Sequence, residues 1–246
     1  MKYITAALGN FDGIHIGHDK IIKRCIDIGN ECRQEKKIIT FEYEFDQFVN
    51  SAKKMKKIYG KHGKIASLKD YDIDDIIFFT LDKDTAKMSP EEFVQDVLID
   101  KLQIKNIVVG FNFRFGYKAE GDTNLLLELS NKYNFTLEII NAVKTNDFIV
   151  SSSIIRLLIE KGSIAEANKL LVDNFRIDLR DHEIIKRESN KIILVNGDFV
   201  YPSDGEYLIS HNEGKQKITF KNRNNQISIN SETTFDKEII EFITKI

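Results

Sequence analysis

Two periodicities alternate along the chain as far as Leu171. Apolar, strand-like stretches occupy residues 4–8, 37–41, 76–80, 106–110 and 136–140, with helical stretches between them. The spacing predicts a first helix over 18–33, with Ile21, Ile22, Cys25, Ile26 and Ile28 on one side. Ser89-Pro90-Glu91-Glu92 is a capping box with Pro in the first turn, and Phe93, Val94, Val97, Leu98 and Leu102 then recur at helical spacing. A third helix is expected after Asp122, carrying Leu125, Leu126 and Leu129. Strand–helix alternation of this kind predicts an α/β class, a parallel sheet with helices on both faces. Ligands in such sheets bind beyond the carboxyl ends of the strands, so the loops after Leu8, Phe41 and Gly110 are the places to search.

Beyond Leu171 the pattern changes. Residues 172–190 are polar and read as a linker. Four short alternating stretches follow, at 192–195, 206–209, 217–220 and 226–229, separated by turn-rich sequence. They predict a small antiparallel β module. Ile239, Ile240, Phe242 and Ile243 suggest a closing helix over 236–246. The expected organisation is a domain over 1–171, a linker over 172–190 and a module over 191–246.

Composition adds exclusions. Charged residues make up 30% of the 246 positions and the net charge is -2, which gives no electrostatic case for nucleic acid or an anionic membrane. The basic run at 53–57 reads as a solvated face or a phosphate-attracting loop. No apolar run approaches a membrane span, and the start of the chain leads directly into strand-like sequence without a signal pattern. Two cysteines on one helix and five histidines argue against a disulfide framework or a structural zinc site, and a cytoplasmic location is expected. Nothing in the sequence specifies an oligomeric state.

The segment Gly9-Asn10-Phe11-Asp12-Gly13-Ile14-His15-Ile16-Gly17-His18 lies between the first strand and the first helix. Gly9, Gly13 and Gly17 let backbone approach a ligand, and the helix start offers unpaired N–H groups to an anion. His15 and His18 can both donate to phosphate oxygens. Alone, His18 would read as a solvated helix-start residue; a His pair flanking Gly is far more specific. No third ligand accompanies the pair, so no protein-held metal is expected there. The segment is neither a P-loop nor G-x-G-x-x-G.

Two further segments carry candidate chemistry. In Gly110-Phe111-Asn112-Phe113-Arg114-Phe115-Gly116, Phe113 and Phe115 can line a flat ring beside Asn112 and Arg114, or simply seal the core. Ser151-Ser152-Ser153-Ile154-Ile155-Arg156 opens an apolar helix. It reads either as an anion site reached by Arg156 or as an ordinary Ser cap with a surface Arg.

Taken together, these segments resemble the prokaryotic-type FAD synthetase family, whose members are usually bifunctional riboflavin kinase/FMN adenylyltransferases of the HxGH nucleotidyltransferase superfamily. Residues 108–116 with Gly121-Asp122, and the run 161–171, extend the likeness over most of 1–171. It implies a Rossmann-like nucleotidyltransferase fold, ATP and FMN as substrates, Mg²⁺ with the ATP, and FAD and pyrophosphate as products. Carried over, His15, His18 and Arg156 would be catalytic. Gly9, Asn10, Phe11, Gly13, Gly17, Ser152 and Ser153 would join them around ATP, and Asn112, Phe113, Arg114 and Phe115 would meet FMN. The chain departs from the family at Ser153, where Thr is usual, at Ile154, where many members have Arg, and at Ile149, where some have a basic residue. Glu42-Tyr43-Glu44-Phe45 stands where the family has an Asp-Pro-His-Pro-like stretch.

The family's kinase stretch Gly-Phe-Pro-Thr-Ala-Asn is missing from the sequence, and only Tyr201-Pro202-Ser203-Asp204-Gly205-Glu206-Tyr207 resembles a segment of its barrel. The expectation is an FMN adenylyltransferase whose C-terminal part is a shortened, catalytically silent kinase remnant or an unrelated β module. Nucleotidyl transfer to another phosphorylated acceptor, or flavin or nucleotide binding without catalysis, are the alternatives.

Overall fold

The apolar runs of the first half become five parallel strands: β1 (Ile4–Leu8), β2 (Glu35–Tyr43), β3 (Asp75–Leu81), β4 (Ile104–Gly110) and β5 (Thr136–Ile140). They form one sheet in the order β3-β2-β1-β4-β5. The computed structural model describes residues 3–43, 56–145, 148–211, 214–235 and 237–246. Two compact units divide them. The first comprises Met1–Phe11, Gly17–Ala52 and Asp70–Ile149; the second comprises Asp12–Ile16, Lys53–Lys69 and Val150–Ile246.

The helices in chain order are α1 (Ile16–Cys32), α2 (Lys61–Leu68), α3 (Pro90–Glu92, continuing over Phe93–Lys101), α4 (Thr123–Tyr133), α5 (Ser152–Glu160) and α6 (Ile164–Leu170). Ser89 caps α3 reciprocally with Glu92 as the capping box predicts. Beyond Glu92 the turns widen, and Leu102 N–H reaches Val97 O, five residues back, at 3.0 Å. Asp122 caps α4 by accepting the N–H groups of Asn124 and Leu125, each at 3.0 Å.

Strand alternation sorts the first unit's core onto two faces. Ala6, Leu8, Ile39, Ile107 and Val109 pack with Phe93, Val94, Val97 and Leu98 of α3 and Leu126 and Leu129 of α4. Ile21, Ile22 and Cys25 of α1 are buried apart from that cluster, and the Cys25 thiol donates to Thr5 O at 3.6 Å. Each fully buried aliphatic side chain contributes about 1.5–3 kcal/mol, so these apolar faces, more than helix propensity, hold the helices on the sheet. A short hairpin, β6 (Lys144–Thr145) with β7 (Phe148–Ile149), completes this unit.

The second unit holds α2, α5 and α6 and a seven-stranded antiparallel sheet. Its strands are β8 (Arg176–Asp178), β9 (Ile184–Arg187), β10 (Lys191–Val195), β11 (Gly205–His211), β12 (Gly214–Arg223), β13 (Gln226–Ser231) and β14 (Ile239–Lys245). They run in the order β8-β14-β11-β12-β13-β10-β9. Its core is aromatic: Phe242 lies 5.5 Å from Phe175, 5.6 Å from Tyr207 and 6.1 Å from Phe220 between ring centroids.

Three expectations change. The closing helix expected over 236–246 is strand β14, paired with β11 and β8. Its apolar set fits both periods, and the structure buries Ile240 and Phe242 in alternation, as a strand does. The linker expected over 172–190 contributes two strands: β8, wholly buried, and β9, an exposed charged edge. Buried Arg176 pairs with Asp173 at 2.6 Å and buried Asp178 with Arg180 at 2.6 Å, so charge in this stretch is compensated and does not mark solvent. The contacts divide after Ile149, whereas the sequence suggested a boundary at Leu171, and α5 and α6 belong with the second sheet. There Asn168 Nδ2 donates to Phe242 O at 2.9 Å and Ile243 O at 3.2 Å.

Candidate functional site

The sheet of the first unit reverses its winding between β1 and β4, neighbours in register from Leu8 opposite Val109. Such a switch point leaves a crevice at the carboxyl ends of the strands. Two of the candidate segments begin there: Gly9–Phe11 after β1, and residues 111–115 after β4.

Gly9 N–H donates to Ile39 O at 3.1 Å and Thr40 Oγ1 donates to Asn10 O at 2.9 Å, tying the turn to β2. Phe11 is completely buried and takes a φ of +45°, a region costly for a bulky side chain. Its ring meets that of His18 edge-on, with centroids 5.2 Å apart. Gly17 and His18 lie in the first turn of α1 and are half-buried.

In the second segment the core-sealing alternative holds for two aromatics. Phe113 and Phe115 are buried and stack on each other at 5.7 Å, within the cluster that contains Phe93. Asn112 and Arg114 are exposed, and Arg114 Nη1 lies 3.9 Å from the Asp122 carboxylate. Phe111, which the sequence did not single out, is 41% exposed and is the exposed ring of this loop.

The middle of the histidine segment belongs to the second unit. His15 is 7% exposed and pairs with Leu171 in a β-bridge. Burial pushes its pKa down to about 4. It is therefore a neutral imidazole near pH 7. Ile14 O accepts Val172 N–H at 2.9 Å. Gly13 has a φ of +67°, and a Cβ there would stand 2.8 Å from Ile58 Cδ1, so glycine is required twice over.

Ser151 is the N-cap of α5, accepting Ile154 N–H at 3.5 Å. The Ser152 hydroxyl donates to Asp12 O at 2.7 Å, and Ser153 is exposed in the first turn. Arg156 was expected to reach a phosphate. Its Nη2 donates to Asp12 Oδ2 at 2.7 Å and its Nε to Lys56 O at 2.8 Å. Sequence reasoning passed over Asp12, whose carboxylate is nine-tenths buried and also accepts the N–H groups of Ile58 and Tyr59 at 2.9 Å. The signal available was an acid inside a Gly-rich turn, which demands a cation or N–H donors somewhere in the fold. Of the stretch 42–45, Glu42 and Tyr43 end β2, and Glu44 and Phe45 lie outside the described residues, as do 53–55 of the basic run.

Residues 2–154 match the FAD synthetase family. The chain belongs to the FAD synthetase family. The bifunctional riboflavin kinase/FMN adenylyltransferase of Buchnera aphidicola subsp. Schizaphis graminum is 34% identical over 177 residues, covering 72% of this chain and 57% of that protein. The FAD synthetase of Listeria monocytogenes is 32% identical over 67% of this chain and 66% of its own length. A bifunctional riboflavin kinase/FMN adenylyltransferase of the same organism is 29% identical over 82% of this chain and 66% of its own. This FAD synthetase family member thus spans little more than half, 57% and 56%, of the two Buchnera relatives it matches. Among solved structures, the macrolide-efflux protein from Streptococcus pneumoniae superposes with a TM-score of 0.78 at 18% identity, over 100% of this chain and 86% of the other. At that identity the likeness is one of fold.

Proposed function

We propose that this chain is an FMN adenylyltransferase that transfers AMP from ATP to the phosphate of FMN, giving FAD and pyrophosphate. The observation that carries the reading is the family match over residues 2–154, a span that includes His15-Ile16-Gly17-His18. An FMN phosphate oxygen attacks the α-phosphorus of ATP, and the bond to the bridging oxygen of the leaving pyrophosphate breaks. The attacking oxygen already carries negative charge, so the protein's task is alignment and stabilisation of charge on the phosphates.

In this reading His15 and His18 donate to the triphosphate, and Gly9, Asn10, Phe11, Gly13 and Gly17 bring backbone close to ATP. The Ser152 proton is committed to Asp12 O, so α5 offers the anion its first N–H groups and the Ser153 hydroxyl. Asn112, Arg114 and exposed Phe111 meet the flavin, with buried Phe113 and Phe115 backing them. Among the described residues no three His, Cys, Asp or Glu side chains gather to hold a metal ion. Mg²⁺ enters with ATP in this reading, and no step here is routed through protein ligands to it. No helix among the described residues is long and apolar enough to cross a membrane.

The second unit's sheet corresponds in this reading to a reduced kinase barrel without riboflavin kinase activity, because the Gly-Phe-Pro-Thr-Ala-Asn stretch is missing from the sequence. The test is incubation with FMN, ATP and Mg²⁺, following FAD by chromatography, beside a riboflavin reaction and His15→Ala and His18→Ala variants. FAD formation is expected, falling about 100- to 1,000-fold in either variant, as for loss of one donor to developing charge; no FMN should form from riboflavin. ATP binding without FAD would reject the FMN assignment. Turnover with CTP or another phosphorylated acceptor would then point to the alternative transferase, and binding without any turnover to a non-catalytic protein.

A further inference from the structure

Asp12 is an acid in a turn otherwise suited to phosphate, and its charge is taken up by the protein. Its Oδ1 accepts Ile58 N–H and Tyr59 N–H, each at 2.9 Å; its Oδ2 lies 3.1 Å from Ile58 N and 2.7 Å from Arg156 Nη2. Three N–H donors, with that of Ile58 shared between both oxygens, thus hold the carboxylate. The main-chain oxygen of the same residue accepts the Ser152 hydroxyl at 2.7 Å. Arg156 is anchored a second time, through Nε to Lys56 O at 2.8 Å. The Asp12 and Arg156 side chains are 11% and 14% exposed, so the pair is a charge-assisted bond largely screened from water.

The consequence falls on His15. Asp12 fastens the segment at its start, and the Ile14 O to Val172 N–H bond with the His15–Leu171 bridge fastens it at its end. Between them, Gly13 lies against the Ile58 side chain, whose own N–H the Asp12 carboxylate holds. A lone carboxylate here would repel a triphosphate, whereas one neutralised by Arg156 can serve as a fixed anchor.

We infer that Asp12 and Arg156 are one positioning device, in which Arg156 acts through Asp12 to fix the turn that presents His15, and does not itself contact ATP. This rests on the reading of His15 as a phosphate donor. A guanidinium is needed because two acceptors in different directions, Lys56 O and the Asp12 carboxylate, are met by one planar fork.

The test is a double-mutant cycle of Asp12→Asn and Arg156→Gln, with Arg156→Lys as a third variant. FAD formation, ATP binding without FMN, and the His15 ring resonances by NMR without either substrate are read in each. Each single change is expected to lower kcat about 100-fold, the scale of a small misplacement of a reacting group. The double variant should be no worse than the worse single. ATP binding should stay unchanged, the His15 signals should move alike in both singles, and lysine should not restore activity. Additive losses, ATP binding weakened by Arg156→Gln but not by Asp12→Asn, rescue by lysine, or unmoved His15 signals would each overturn the inference. Should the wild type make no FAD, the functional reading falls while the ATP and NMR measurements still decide this one. Arg156→Lys keeps the charge and decides the matter if Asp12→Asn does not fold.

Discussion

Replacing Gly13 by alanine separates two physical effects at one position. The φ of +67° is left-handed backbone, and a built Cβ meets Ile58 Cδ1 at 2.8 Å and Cγ2 at 3.2 Å. A non-glycine residue in that conformation costs about 1–2 kcal/mol. Ile58 is 3% exposed, so its side chain has little room to yield, and overpacking adds about 1–3 kcal/mol. Alanine also restricts the unfolded chain, which offsets about 0.4–1 kcal/mol. The net expectation is a loss of about 2–4 kcal/mol, or roughly 5–15 °C in the melting temperature at 2–4 °C per kcal/mol. Differential scanning calorimetry of Gly13→Ala, Ile58→Val and the double variant measures both parts. Ile58→Val alone should cost about 0.5–1.5 kcal/mol for the lost methylene. In the double variant the 2.8 Å contact is gone, so the steric part should return and the backbone part should remain. A Gly13→Ala shift below about 2 °C would refute the geometry. Full recovery in the double variant would refute the backbone contribution.

Two other expectations concern pH and the loop after β4. Burial lowers both His15 and His182 from 6.5 to about 4, so the unfolded chain binds more protons than the folded one between those values. Stability from each is fully present above about pH 6.5 and is lost as pH falls toward 4; melting curves should show this slope, and His182→Gln should reduce it. A melting temperature that stays level from pH 7 to 4 in the wild type would contradict the burial of these rings. Phe113→Ala should destabilise the first unit by about 3–5 kcal/mol, as a buried aromatic does. Phe111→Ala, at an exposed position, should leave the melting temperature within about 2 °C and weaken FMN binding instead.

The parallel strands were legible as apolar runs, continuous at β1 and β4 where both faces are buried, and the helix starts because Ser89 and Asp122 announce them chemically. The fate of residues 239–243 was not legible: Ile239, Ile240, Phe242 and Ile243 satisfy a helix and a strand alike, and pairing with β11 decides. β8 was hidden by Arg176 and Asp178, whose charges looked like solvent until their partners were seen, although Phe175, Ile177 and Leu179 alternate. At the candidate site, the two histidines announce themselves by spacing. Asp12 does not, because its partners lie 46, 47 and 144 residues away and no local pattern records them. Arg156 was noticed for its charge, but its partner could be known only from the fold.

The chain passes repeatedly from one unit to the other, leaving Asp12–Ile16 and Lys53–Lys69 in the unit that Val150–Ile246 completes. On the ribosome this sets an order of events. Strands β1 to β5 can pair as they emerge, but Asp12 must wait through 144 further residues for Arg156. At about 5–20 residues per second, that is a delay of roughly seven to thirty seconds. During that interval the histidine segment has its sequence but not its shape. Nascent chains arrested before Arg156 emerges should therefore leave the turn open to protease, and those carried through β14 should close it.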